Sequence, residues 1–286
     1  MATLRNIKRR ISSVRSTQQI TRAMKMVAAA KLRKVQNKLT SSRPYIDALR
    51  EMMGNVVARS KKDLHPMLEE RPARHICFVL VTADRGLCGG FNNNLIKRAV
   101  RELEGTKARK VDLFAIGRKG YEYFKRRDYA IPHHRIDFFN HLEFSHADEI
   151  SHTLIDLYLK RTYDRIYVIY SEFISAIQQE VVVRPLLPIQ PQAAQNQSRV
   201  TFFKFEPSPR RILKDLCPKS VQMQMWQILL ESNTSELGAR MAAMEAATDN
   251  AEEMIKELTL FYNKTRQAAI TKEINEIVGG AEALRG

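Results

Sequence analysis

Apolar or small side chains recur at Leu4, Ile7, Ile11 and Val14, then at Leu32, Val35 and Leu39, and on through Ile46, Leu49, Met53 and Val56. Alternating steps of three and four residues place all of them on one stripe of an α-helix, the seam of a coiled coil held in one register. Between the two apolar runs the register passes through Gln18, Thr21, Lys25 and Ala28, where the seam becomes polar and small. Pro44 sits inside the pattern and predicts a local kink. At 1.5 Å per residue this helix is about 80 Å long, so it must protrude from any compact domain.

The other end of the chain shows the same behaviour. Ser208 followed by Pro209 reads as an N-cap and a first helical residue, and no proline follows Pro218. A second seam runs through Leu237, Met241, Met244, Thr248, Ala251, Ile255, Leu258 and Tyr262. It then slips by about one residue to Ile270, Ile274, Ile277, Ala281 and Leu284, with Arg266 and Gln267 at the slip. If both helices leave an intervening domain near residues 57 and 208 and pair antiparallel, facing positions add up to about 265, which sets Met24 against Met241. The last twenty or so residues then lack an intrachain partner and form a lone helix about 30 Å long. Its apolar content demands a sleeve supplied by other chains.

Between residues 75 and 205 the period changes to short β-rich runs separated by helical stretches. His75–Thr82 is a continuous apolar strand of the kind found in parallel sheets covered on both faces. Helices are expected over Phe91–Leu103, Lys119–Arg126 and His146–Arg161, and further strands over Lys110–Ile116 and Arg165–Tyr170. Glu180–Leu187 and Val200–Phe205 read as later, antiparallel strands around a polar loop at residues 190–199. The order βαβαβ predicts a small doubly wound, Rossmann-like α/β domain, giving three parts: a helix at 1–57, the α/β domain at 75–205 and a helix at 208–286.

Charge changes this picture. Of the net charge of +16, the first 46 residues hold twelve Lys or Arg and no acid. Such an arm suits phosphate binding, an organelle transit peptide or a partner-facing helix face. The seam that continues far beyond the arm argues against a transit peptide. Residues 231–257 contain seven acids and two bases, an antiparallel neighbour that would neutralise much of the arm and weaken the nucleic-acid reading. The 286 residues contain three cysteines (Cys77, Cys88 and Cys217), an odd and sparse set that suits a reducing compartment rather than a disulfide framework. No apolar run approaches the ~18 residues of a membrane span, and no signal peptide opens the chain.

Candidate chemistry is thin. The turn DRGLCGG at residues 84–90 joins strand to helix, where glycine-rich loops can cradle phosphate. It lacks both the Walker Lys-Ser/Thr ending and the GxGxxG spacing, so it reads as a structural turn, with Cys88 as a small buried residue. His133, His134, His141, His146 and His152 match no zinc spacing and read as loop or helix-surface residues. No hydrolase motif is present, so no catalytic residue, cofactor site or metal site is assigned.

Three segments carry a resemblance to a known family. IKRRISSVRSTQQITRAMKMVAAAKLRK (7–34), TADRGLCGGFN (82–92) and AATDNAEEMIKELTLFYNKTRQAAITKEINEIVGGAEAL (246–284) resemble the γ subunit of F-type ATP synthases. The resemblance implies an antiparallel coiled coil acting as a rotor shaft within the αβ hexamer, and a Rossmann-like base against the ε subunit and the ring of c subunits. It implies one copy per complex, no catalysis by this chain, and membrane association only through the complex. A bacterial inner membrane, cytoplasmic face, is favoured over an organelle. The implied hexamer contacts are Met24, Arg240, Arg266, Gln267 and Thr271. Ile270, Ile274, Ile277 and Leu284 would form the bearing tip, and Glu206 would lie near the base contacts. The reading from another class is a basic coiled-coil protein that binds nucleic acid through residues 1–46, and a weaker third is a nucleotide-binding enzyme using the glycine-rich turn.

Overall fold

Along strand β1 (His75–Val81) successive side chains point to opposite faces, and both faces are covered. Cys77, Val79 and Val81 join one apolar cluster, and Ile76, Phe78 and Leu80 join another. Such a strand belongs in the middle of a parallel sheet, and it lies there. The sheet runs β3-β2-β1-β4-β5, built from β2 (Lys110–Ile116), β3 (His133–Arg135), β4 (Arg165–Phe173) and β5 (Gln179–Leu187). β1 pairs in parallel with β2 and β4, β2 in parallel with β3, and β5 closes the far edge antiparallel to β4.

The computed structural model describes residues 4–58, 65–175, 178–190, 206 and 208–283, with side chains as far as residue 281. The expected strand at 200–205, residues 191–199 of the polar loop, and Leu284 lie outside the described residues. Helices α2 (Phe91–Gly105) and α3 (Arg118–Lys125) cover one face of the sheet through Phe91, Leu95, Ala99 and Phe124. On the other face, α4 (Phe144–Leu159) contributes Ala147, Ile150, Leu154 and Tyr158. That face also receives parts of the two long helices, α1 (Leu4–Ala58) through Leu39, Met53 and Val56, and α5 (Pro209–Ala283) through Leu213, Met225 and Leu229. Each fully buried Leu, Ile or Phe here contributes about 1.5–3 kcal/mol of transfer free energy. The doubly wound expectation holds. Ser208 caps α5 as expected, its hydroxyl accepting from the Arg211 N–H.

One element departs from the sequence reading. His133 and His134 are in an edge strand rather than in a loop or on a helix surface. Three polar residues carry no alternation to detect. What holds them is ring stacking, His133 on Phe114 and His134 on Tyr121, together with the parallel ladder to β2.

The chain divides into two compact units, Ala29–Arg240 and the pair Met1–Ala28 with Met241–Gly286, so α1 and α5 each contribute to both. In the second unit the seam is the expected one. Ile7, Thr21, Ala28, Met244 and Ala251 are buried, with Ile11, Val14, Gln18, Ile255, Leu258 and Tyr262 half-buried between them. The register differs from the estimate. Thr21 meets Thr248 at 2.8 Å and Lys25 meets Glu245 at 2.7 Å, so facing positions add up to 269 and 270 rather than 265. The estimate took both helices to begin level; the side chains that meet across the seam set the register instead. The expected mutual neutralisation is also limited. Among the described residues of this unit, Lys25–Glu245 is the single ion pair between the helices, and Lys256 pairs with Glu252 along its own helix. Opposite charge makes the helices compatible, while the seam holds them together.

Candidate functional site

Two places in the structure bear on function: the glycine-rich turn in the sheet unit and the free stretch of α5 in the helix-pair unit.

The turn leaves β1 at Val81 and enters α2 at Phe91, and its own side chains hold it. Asp84 accepts from the backbone N–H groups of Arg118 (3.0 Å), Asp137 (2.9 Å) and Phe139 (3.3 Å), a carboxylate set at the N-terminus of α3. Asn92, in the first turn of α2, accepts from the Ala83 N–H and donates to Cys88 Sγ at 3.1 Å. Arg240 of α5 donates to the Gly86 carbonyl at 2.6 Å and to Glu236 one turn back. Burial pushes the Glu236 carboxyl up from its ordinary range, against the opposing pull of the Arg240 charge. Arg85 and Leu87 face solvent from this braced loop, and Leu87 adopts a left-handed backbone.

Nothing in the turn activates a nucleophile. Burial pushes the Cys88 thiol up, with Glu236 adding to the shift. Burial raises Cys77 as well, and pushes Cys217 up to about 12. Thiols held protonated are poor nucleophiles and poor metal ligands. Among the described residues no group of three or more His, Cys, Asp or Glu could hold a metal ion. No described helix is long and apolar enough to cross a membrane.

A buried acid that sequence reading passed over lies nearer the start of α5. Glu231 accepts from Gln227 at 2.8 Å through one carboxylate oxygen, and its other oxygen is buried without a hydrogen-bond partner. Burial raises its pKa and the Glu172 carboxylate, itself paired with Arg184, adds to the rise, against the opposing pull of the Gln227 amide, the nearby Tyr170 hydroxyl and the Arg184 guanidinium. A raised carboxyl pKa means that the folded state holds the proton more tightly than the unfolded chain. Its stabilisation is therefore present below the unfolded value near ~4.3 and is lost as pH rises through the folded value. Glu231→Gln is expected to match the parent protein at acidic pH and to exceed it by about 1 kcal/mol above neutrality. Urea denaturation at both pH values checks this.

In the helix-pair unit, Met24 is half-buried at the edge of the seam, next to Lys25, which pairs with Glu245. Arg266, Gln267 and Thr271 are exposed on α5. Thr265 and Ala269 are the last half-buried positions, and every residue from Ile270 to Ala281 is exposed. That stretch includes Ile270 (46 % exposed), Ile274 (53 %), Ile277 (71 %) and Val278 (57 %). A Cβ added at Gly279 or Gly280 would meet nothing within 4 Å. Ile270, Thr271, Ile274 and Ile277 thus share one uncovered run of helix, and the exposed Arg266 and Gln267 precede it by about one turn. Arg240 lies in the sheet unit with its guanidinium already engaged, and Glu206 is exposed.

A helix pair that leaves an apolar run of one helix bare presents the kind of surface that a subunit of a larger assembly covers with its partners. A family model described as ATP synthase matches residues 3–284. The ATP synthase gamma chain of Heliobacterium modesticaldum is 45% identical over 291 residues, covering 99% of this chain and 100% of that one. The ATP synthase gamma chain of Halothermothrix orenii is 46% identical over 289 residues, covering 100% of both. Among solved structures, a chain of the Tetrahymena thermophila mitochondrial ATP synthase central stalk and c-ring superposes with TM-score 0.62 at 25% identity, over 80% of this chain and 99% of that one. A chain of the Euglena gracilis mitochondrial ATP synthase shares the fold, with TM-score 0.70 at 21% identity over 98% and 94% of the two chains. The protein belongs to the ATP synthase gamma chain family. The nucleic-acid reading of the basic arm finds no support among these relatives.

Proposed function

We propose that this chain is the non-catalytic central-stalk rotor of an F-type ATP synthase, coupling ion flow through a membrane ring to rotary catalysis in an αβ hexamer. The observation that carries the proposal is the bare run from Ile270 to Ala281, whose apolar side chains need a sleeve from other chains. The α and β subunits provide that sleeve, and Ile270, Ile274, Ile277 and Leu284 turn within it as a bearing. Residues 1–57 and 208–286 act as the shaft, and residues 75–205 act as the base against the ε subunit and the c-ring, with Glu206 beside that contact. The complex holds one copy and sits on the cytoplasmic side of a bacterial inner membrane, which this chain meets only through its partners.

The shaft acts by being asymmetric. Arg266, Gln267 and Thr271 offer donors from one side of α5, Met24 a contact from α1, and Arg240 the part of its guanidinium that Glu236 and Gly86 leave uncovered. Arg266 and Gln267 donate hydrogen bonds to acidic or polar loops of one catalytic subunit at a time, while Met24 meets the hexamer by packing. Rotation changes which site is held open, a population shift imposed by a ligand that binds the open and closed forms unequally.

Reconstitution tests this. Mixed with α and β subunits, the full chain is expected to assemble as one copy per hexamer and to support rapid multi-site ATP hydrolysis. A chain lacking residues 264–286 is expected to assemble and turn over more slowly. A full chain that neither assembles nor changes turnover would sink the proposal, and salt-dependent nucleic-acid binding would be the next assay.

A further inference from the structure

We propose that the Thr21–Thr248 hydroxyl pair fixes the register of the antiparallel helix pair, and so positions the contact stretch of α5 against α1. Thr21 is buried (8 % exposed) in a seam whose buried neighbours are Ala28, Met244 and Ala251. The two hydroxyl oxygens lie 2.8 Å apart, Thr21 Oγ1 is 3.0 Å from the Gln18 carbonyl, and Thr248 Oγ1 is 2.7 Å from the Met244 carbonyl. Each hydroxyl has one proton. Either Thr248 donates to Thr21 and Thr21 to Gln18, or Thr21 donates to Thr248 and Thr248 to Met244. Both arrangements make two bonds, and both need the hydroxyls to face each other.

A stripe spaced three and four can slide by a heptad and still bury apolar groups, so within the helix-pair unit the stripe alone leaves the register open, while the same helices are packed separately in the sheet unit. The hydroxyl pair does not survive the slide. Moved by one heptad in either direction, Thr21 would face Ile255 or Met241, and Thr248 would face Ala28 or Val14. The neighbouring ion pair discriminates less, because in one of these slips Lys25 meets Glu252 in place of Glu245. A single polar layer in an apolar seam specifies register while lowering stability, and the threonine pair is that layer.

The test uses the full-length chain with cysteine pairs placed by the same register. Val14→Cys with Ile255→Cys reports the native register, and Val14→Cys with Tyr262→Cys reports the slip of one heptad. With both threonines present, mild oxidation closes the native pair. In Thr21→Val/Thr248→Val, closure of the slipped pair is expected to rise at least about tenfold while the melting temperature does not fall. Thr21→Ser/Thr248→Ser, which keeps the hydroxyls, is expected to behave as the parent. A slipped pair that stays open in the valine variant, or closes equally in the serine variant, overturns the assignment.

The positioning half rests on the rotor reading and has its own readout. In the reconstituted hexamer the valine variant is expected to turn over ATP more slowly at unchanged assembly, and closing the native-register disulfide is expected to restore the rate. Full turnover by a chain closed in the slipped register overturns that half. Failure of the unaltered chain to assemble would instead defeat the rotor reading and leave the cross-linking result standing.

Discussion

Changing Gly117 to alanine is expected to abolish the cooperative melting of the sheet unit. Gly117 follows β2 and caps the start of α3 with φ +88°, a region that side chains rarely enter. A Cβ there would lie 1.9 Å from the Thr82 carbonyl oxygen and 2.6 Å from its carbon, both backbone atoms. Neither strand can yield cheaply. The Thr82 N–H is bonded to the Ile116 carbonyl at 2.8 Å, and the Gly117 N–H to the Arg135 carbonyl at 2.9 Å. Relief would break the ladder at the centre of the sheet, and the cost exceeds about 4 kcal/mol, a large share of the stability of an ordinary domain. Circular dichroism during heating checks it. Gly86→Ala is the control: its Cβ would meet nothing within 4 Å, and a change under about 1 kcal/mol is expected. Equal loss in both variants would refute the steric account.

Arg240→Ala is expected to cost about 3–5 kcal/mol at neutral pH, because it leaves Glu236 buried without its counter-charge. The side chains of the pair are only 14% and 11% exposed, so water cannot take over the role of the guanidinium. The loss should shrink as pH falls. Burial already pushes the Glu236 carboxyl up, and losing the nearby positive charge pushes it further, so acid neutralises the orphaned group in the folded state. Combining Arg240→Met with Glu236→Gln is expected to recover most of the stability while leaving the Gly86 carbonyl without its donor. Denaturation midpoints of the parent and the two variants at two pH values separate these contributions. A single variant as stable as the parent at neutral pH would show that the pair is not effectively buried.

The sequence disclosed what periodicity can carry. β1 and β2 are runs of apolar residues long enough to need cover on both faces, and the two seams repeat over many turns. The β3 strand escaped because His133, His134 and Arg135 gain their place from Phe114 and Tyr121, which are distant in sequence. Register escaped for a related reason: a repeating stripe is nearly degenerate under whole-heptad shifts, and only particular pairs such as Thr21 with Thr248 break the degeneracy. The fastening of Arg240 was half visible, since Glu236 precedes it by four residues, a favourable spacing on one helix face. Its second partner, the Gly86 carbonyl, lies 154 positions away, where no local rule reaches. Asp84 is similar, because its three backbone donors belong to segments that only the folded sheet brings to it.

From Ile228 to Gly238 every residue of α5 is buried, although Ser232, Asn233, Thr234 and Ser235 are polar. Thr234 bonds back to the Leu230 carbonyl, and Ser235 donates to the Ser171 carbonyl of β4. A helix with a wet side can drift in sequence along that side while its dry side stays fixed, which leaves a rhythm of tolerant and intolerant positions. Three turns without a wet side have no such rhythm. Variation along this family should therefore flatten there into one continuous block, constrained for shape and hydrogen bonding rather than for hydrophobicity.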